Sequence, residues 1–91
     1  MRIVFIKVYG IVQGVFFRKT TVTKANELGI KGFVSNATDR TVEITAQGSQ
    51  ENLNEFIHWC HHGPERARVD KVEVKDVEEK ISFSRFEVRY F

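Results

Sequence analysis

An apolar run, Ile3–Tyr9, leads through the glycine-bracketed stretch Gly10-Ile11-Val12-Gln13-Gly14-Val15-Phe16-Phe17-Arg18 into a segment of helical character that begins near Arg18. The run is rich in branched and aromatic residues and reads as a β-strand. Its near-continuous apolarity marks a central strand. A turn of this kind can aim several backbone N–H groups at one point. At a helix N-terminus the dipole then favours an anion there. Arg18 adds a planar, permanently charged fork matched to phosphate or carboxylate oxygens. The stretch is a candidate oxyanion cradle. A strand, a glycine loop and a helix also occur in sequence with no function, and geometry alone leaves both readings open.

The segments that follow alternate in period. Spacing predicts a helix over 20–28, with Val22, Ala25 and Leu28 on a thin apolar stripe that Phe17 and Thr21 extend backwards, and Gly29 as its stop. Gly32–Asn36 reads as a short strand, Ala37–Arg40 as a turn, and Thr41–Gly48 as an alternating strand, together a hairpin. Ser49 is a good N-cap, and Glu51 favours the dipole of the helix it opens. Leu53, Phe56, Ile57 and Cys60 form one buried helical face, ended by Gly63-Pro64. Val69–Val77 carries so many charges that it reads as an edge strand guarded against aggregation. After a loop over 78–82, Phe83–Phe91 alternates as a last strand. The order is β-α-β-β-α-β with the final β in two pieces. This is an α+β, ferredoxin-like split βαβ sandwich: an antiparallel sheet with two helices on one face and the first strand placed centrally by right-handed crossovers.

Ninety-one residues form one domain, spanning 1–91. A chain of this size buries about 60–65% of its unfolded surface. No apolar run approaches the roughly 20 residues of a membrane span. The first residues are too soon interrupted by charge for a signal peptide. Cys60 is the only cysteine, so no intrachain disulfide forms and a cytoplasmic setting is expected. A net charge of +2 gives no argument for nucleic acid or a membrane surface and is compatible with a small anionic ligand.

The segment Gly10–Arg18 resembles the first signature of the acylphosphatase family. Gly32-Phe33-Val34-Ser35-Asn36 resembles the second, with a mild departure at Ser35, where the family usually has a basic or longer side chain. The separation of Arg18 from Asn36 fits the family, and the likeness extends through Gly63-Pro64, Arg68-Val69 and the strand containing Phe86. One more departure lies in the hairpin. Many members carry Asp-Gly where this chain has Asp39-Arg40. Arginine is strained at positive φ, so either the turn type changes or Asp39 takes the left-handed position.

The resemblance implies hydrolysis of the carboxyl–phosphate bond of acyl phosphates, with no cofactor, no metal and no covalent intermediate. Backbone N–H groups of Gln13, Gly14, Val15, Phe16, Phe17 and Arg18 are expected to bind the phosphate. Arg18 pairs with it through its guanidinium group, and Asn36 holds the attacking water. Thr41 is expected to support Asn36 through its hydroxyl. Phe17 is expected to pack beneath the loop, while Phe16 either packs or lines the mouth of the site. The expected partner is a small-molecule acyl phosphate, with no nucleic acid and no membrane, and the chain is expected to be a monomer.

Other readings weigh less. His58, His61 and His62 could approach one another on a helix, but Cys60 lies on the opposite apolar face, so solvated imidazoles are expected rather than a metal site. Lys31-Gly32-Phe33-Val34 resembles the start of an RNA-reading motif, but the match fails at once and falls before the second strand. The same family fold also occurs inside larger maturation proteins that handle carbamoyl phosphate. The chain's length and its Met1 start favour a free-standing enzyme.

Overall fold

Val4, Ile6 and Val8 are wholly buried along one face of β1 (Arg2–Ile11), and that face is where both helices pack. The computed structural model describes residues 1–91. Its remaining elements are α1 (Phe17–Glu27), β2 (Lys31–Asn36), β3 (Val42–Gly48), α2 (Gln50–Cys60), β4 (Arg68–Val77) and β5 (Phe86–Val88). The five strands form one sheet in the order β4-β1-β3-β2-β5. As expected, β1 is interior and the charged β4 is an edge.

The sheet is not purely antiparallel. β1, β2, β3 and β4 pair antiparallel, but β5 lies parallel to β2, with Gly32 opposite Phe86 and Val34 opposite Val88. The last strand is also much shorter than the alternation over 83–91 predicts. The backbone around Phe86 finds partners only along the open edge of β2, whose inward-facing Val34 is wholly buried.

Each helix lies where its apolar side chains require. Leu53, Phe56 and Cys60 of α2 are completely buried, and the Ser49 hydroxyl caps the helix by accepting from the Asn52 N–H at 3.2 Å. In α1 the buried residues are Phe17, Thr21 and Ala25, so the backward extension of the stripe is its core and the helix starts three residues earlier than the spacing over 20–28 indicates. Thr21 is buried without loss because its hydroxyl donates to the Phe17 carbonyl oxygen at 2.6 Å. Phe17 packs against Trp59 of α2, with ring centroids 5.6 Å apart. Truncation of such a buried ring typically costs about 3–5 kcal/mol. That packing fixes the first residue of α1, and with it the loop arriving from β1.

Gly10 marks where that loop leaves the sheet. The β1–β4 register slips between Tyr9 and Gly10, and Gly10 has φ 132°. A Cβ there would lie 2.0 Å from the Arg68 carbonyl oxygen, so the close approach of the two strands admits only glycine.

Candidate active site

Between β1 and α1 the chain passes through two left-handed residues. Gly14 has φ 74°, and Phe16, the N-cap of α1, has φ 62°. A Cβ on Gly14 would meet nothing within 4 Å, so the glycine serves backbone conformation beside open space. The consequence for the backbone is specific. The N–H groups of Gly14, Val15, Phe16, Phe17, Arg18 and Lys19 find no acceptor in the protein, and the first paired one is that of Thr20, which donates to the Phe16 carbonyl oxygen at 3.0 Å. Orphan donors at a helix N-terminus carry its positive dipole end, and a turn of consecutive N–H groups makes an anion-binding concavity.

This loop opens on a cleft of about 590 Å³ whose lining includes Gly14, Phe16, Arg18, Lys19, Asn36 and Tyr90. Arg18 and Asn36, separated in the sequence, therefore face one space. The Arg18 guanidinium is in no ion pair with a carboxylate and rests over the Tyr90 ring, 5.3 Å from its centroid. Asn36 ends β2 and is half-buried. Its Oδ1 is a buried acceptor with no hydrogen-bond partner. Leaving such an atom unpaired typically costs about 1–3 kcal/mol.

The expected binding residues divide. Phe16 lines the cleft mouth and is 69% exposed, which answers the question of its side chain. The Phe17 side chain is buried in the core, as expected, although the residue borders the cleft. Val15 is half-buried and packs against the core. Gln13 turns its side chain away from the loop: its Nε2 donates to the carbonyl oxygens of Ala37 and Thr41, each at 2.9 Å. The glutamine thus ties the loop to the hairpin that carries Asn36.

The hairpin departs from expectation in two respects. Arg40, not Asp39, takes the left-handed position, with φ 72°. The Arg40 N–H donates to the Ala37 carbonyl oxygen at 3.3 Å and the Ala37 N–H to that of Thr41 at 2.9 Å, the pattern of a three-residue loop built on a type I turn with a left-handed residue after it. The Thr41 hydroxyl does not support Asn36. It donates to Asp39 Oδ1 at 2.5 Å, where the Thr41 N–H also donates at 3.1 Å, while Lys7 Nζ lies 2.8 Å from Asp39 Oδ2. Lys7 and Thr41 together hold the Asp39 carboxyl well below the usual carboxylate range.

Lys19 and Tyr90 also line the cleft, and the sequence reasoning did not single them out. The signal for Tyr90 was its place two residues beyond Val88 on one alternating face; the signal for Lys19 was its adjacency to Arg18 at the helix start. His58, His61 and His62 are exposed on α2 and its C-terminal turn, with Cys60 buried on the other face.

Known proteins share the sequence pattern and the fold of this chain. A family model for Acylphosphatase matches residues 4–88. An acylphosphatase of Mannheimia succiniciproducens is 48% identical over 83 residues, 91% of this chain and 92% of the relative. The solved acylphosphatase of Bacillus subtilis superposes with a TM-score of 0.95 at 31% identity, over 99% of this chain and 100% of that one. That of Coxiella burnetii does so with a TM-score of 0.92 at 34% identity, over 97% and 92%.

Proposed function

Because this chain belongs to the acylphosphatase family and hydrolyses the carboxyl–phosphate bond of acyl phosphates, we propose that the loop Gln13–Arg18 cradles the phosphoryl group and that Asn36 positions the water. The observation that carries this reading is the shared cleft: a run of unpaired N–H groups, the Arg18 guanidinium, free of any carboxylate, and Asn36 at the end of β2 border one space.

The chemistry asks little beyond that. Water oxygen bonds to phosphorus as the phosphorus–oxygen bond to the acyl group breaks, and carboxylate leaves with the electron pair. A carboxylate is a good leaving group and needs no strong general acid. What remains is to balance charge on the phosphoryl oxygens and to align the water. Fixed N–H dipoles and the Arg18 fork do the first with little reorganisation. Asn36 does the second: its side-chain amide hydrogen-bonds the water, and the water's lost proton passes to a phosphoryl oxygen, since an amide does not titrate near neutrality. Neither a metal nor a covalent intermediate enters. Lys19 adds positive potential at the cleft lip.

The reading extends to a cytoplasmic monomer that binds no nucleic acid. In its favour, the lone Cys60 is buried and so is closed to a disulfide with a second chain, and the net charge is only +2.

Turnover in ¹⁸O-labelled water tests the mechanism. Label is expected in inorganic phosphate and not in the carboxylate. Label in the carboxylate would move the attack to the carbonyl carbon and remove the proposed role of the loop. Turnover that persists in excess chelator is expected, and loss of it restored by a divalent cation would overturn the metal-free route.

A further inference from the structure

Phe16 carries a bulky, exposed ring on a left-handed backbone at the mouth of the cleft. A left-handed backbone costs an L-residue about 1–2 kcal/mol, and φ 62° is unusual for a bulky side chain. Such strain persists where the surroundings or a ligand require it. Here the backbone turn serves α1, since the Phe16 carbonyl oxygen accepts from both the N–H and the hydroxyl of Thr20, but the ring is 69% exposed and is paired with no other aromatic side chain, so the fold makes no use of the ring itself. Tyr90 is a second aromatic in the same cleft, 81% exposed, from the segment after β5 at the far edge of the sheet. Its ring contacts the Arg18 guanidinium. Val22 and Val88 border the same space.

We propose that Phe16 and Tyr90 form an acyl-binding subsite that favours aromatic and apolar acyl phosphates. The inference rests on the reading that the loop amides and Arg18 hold phosphate. With the phosphoryl group held there, the acyl group emerges into the part of the cleft walled by these two rings and the valines. An aryl group there gains ring contacts that an acetyl group cannot make. Aromatic pairs contribute about 0.5–1.5 kcal/mol beyond area burial, or roughly two- to thirteen-fold in affinity. Tyr90 also keeps Arg18 at the cleft by a cation–π contact.

The test compares kcat/KM for benzoyl phosphate and acetyl phosphate in the wild type, Phe16→Gly, Tyr90→Ala and Tyr90→Phe. Because the same two substrates are compared across variants, their intrinsic reactivities cancel. Phe16→Gly relieves the backbone strain, so folding is not at risk. The benzoyl-to-acetyl ratio is expected to fall about three- to ten-fold in Phe16→Gly and in Tyr90→Ala, mainly through KM, consistent with the ring-contact range above. It is expected to hold in Tyr90→Phe, which keeps the ring. An unchanged ratio in both ring-deleting variants overturns the subsite. So does an equal fall in Tyr90→Phe, which would give the contact to the hydroxyl. A preference for succinyl phosphate that Lys19→Ala abolishes would assign the acyl pocket to charged groups and also overturns it. Inhibition by inorganic phosphate separates this proposal from the reading beneath it. If phosphate competes with substrate but the ratio is invariant, only the acyl subsite fails; if phosphate does not compete, or Arg18→Ala leaves its inhibition constant unchanged, the phosphate cradle itself fails.

Discussion

The side-chain amide of Gln13 donates to the main-chain carbonyl oxygen of Thr41, and the same nitrogen donates to that of Ala37, both at 2.9 Å. One side chain from the anion loop therefore closes the mouth of the hairpin whose first strand ends in Asn36. The two halves of the site are held in a single frame by a residue whose backbone belongs to one and whose side chain bonds the other.

Gln13→Ala should cost about 1–3 kcal/mol, the net worth of two hydrogen bonds, and should lower kcat by more than the lost stability explains. Gln13→Glu should be worse, since it sets carboxylate oxygens against two carbonyl oxygens. Urea unfolding and acyl phosphate turnover, measured well below the unfolding midpoint, check both. A fully active Gln13→Glu enzyme would show that the clamp does not matter to Asn36.

Arg18→Ala should lower kcat by about 10²–10³, the usual loss when a donor to a developing oxyanion is removed. Arg18→Lys should recover little, because an ammonium lacks the planar fork. Asn36→Ala should lower kcat far more than it raises KM, since its proposed partner is the water. Steady-state kinetics decide this, with thermal unfolding showing that each variant is folded.

Arg40→Gly should stabilise the protein by about 1 kcal/mol, somewhat less than the left-handed penalty it relieves because glycine gains unfolded-state entropy. The Arg40 side chain is exposed and makes no ion pair or hydrogen bond that the change would remove. A rise of roughly 4–8 °C in Tm is the expected readout for a domain of this size. A fall would mean that the hairpin does not need the left-handed residue.

Asp39 makes stability depend on acid pH. Its carboxyl is held below the usual range first by the Lys7 hydrogen bond and then by the Thr41 hydroxyl and N–H. A depressed folded value contributes stability that is whole above the unfolded value of about 3.9 and is lost as pH falls through the folded one. The wild type should therefore lose more stability than Asp39→Asn as pH is lowered from 5 toward 2, while Asp39→Asn should be the less stable protein at pH 7. Lys7 is raised by the same contact, so its contribution persists below the ordinary lysine value and is lost only as pH rises through the raised one. Urea midpoints across pH give both limbs. Parallel acid limbs in the two proteins would remove Asp39 from the account.

Much of the fold is legible because it is local. The spacing of Leu53, Phe56 and Cys60 behind a Ser49 cap determines α2, and all three side chains are buried. The charges of β4 suit the edge it occupies. The glycine pattern from Gly10 to Gly14 and the motif ending in Asn36 determine where a loop and a strand end bring their functional groups. Each of these depends on periodicity, backbone sterics or one residue's chemistry, and the chain carries those wherever it goes.

What the tertiary structure decided are meetings between distant residues. β5 is short and parallel because only the open edge of β2 pairs it. Tyr90 reaches Arg18 across most of the chain. Arg40 accepts a strained φ because Asp39 is anchored by Lys7 and Thr41, and because Gln13 holds the carbonyl oxygens at the mouth. Those bonds together outweigh a local preference of about 1–2 kcal/mol. The sequence by itself determined the elements and the chemistry of the loop; register and packing decided which side chains that chemistry meets, since both are set by contacts that no local pattern contains.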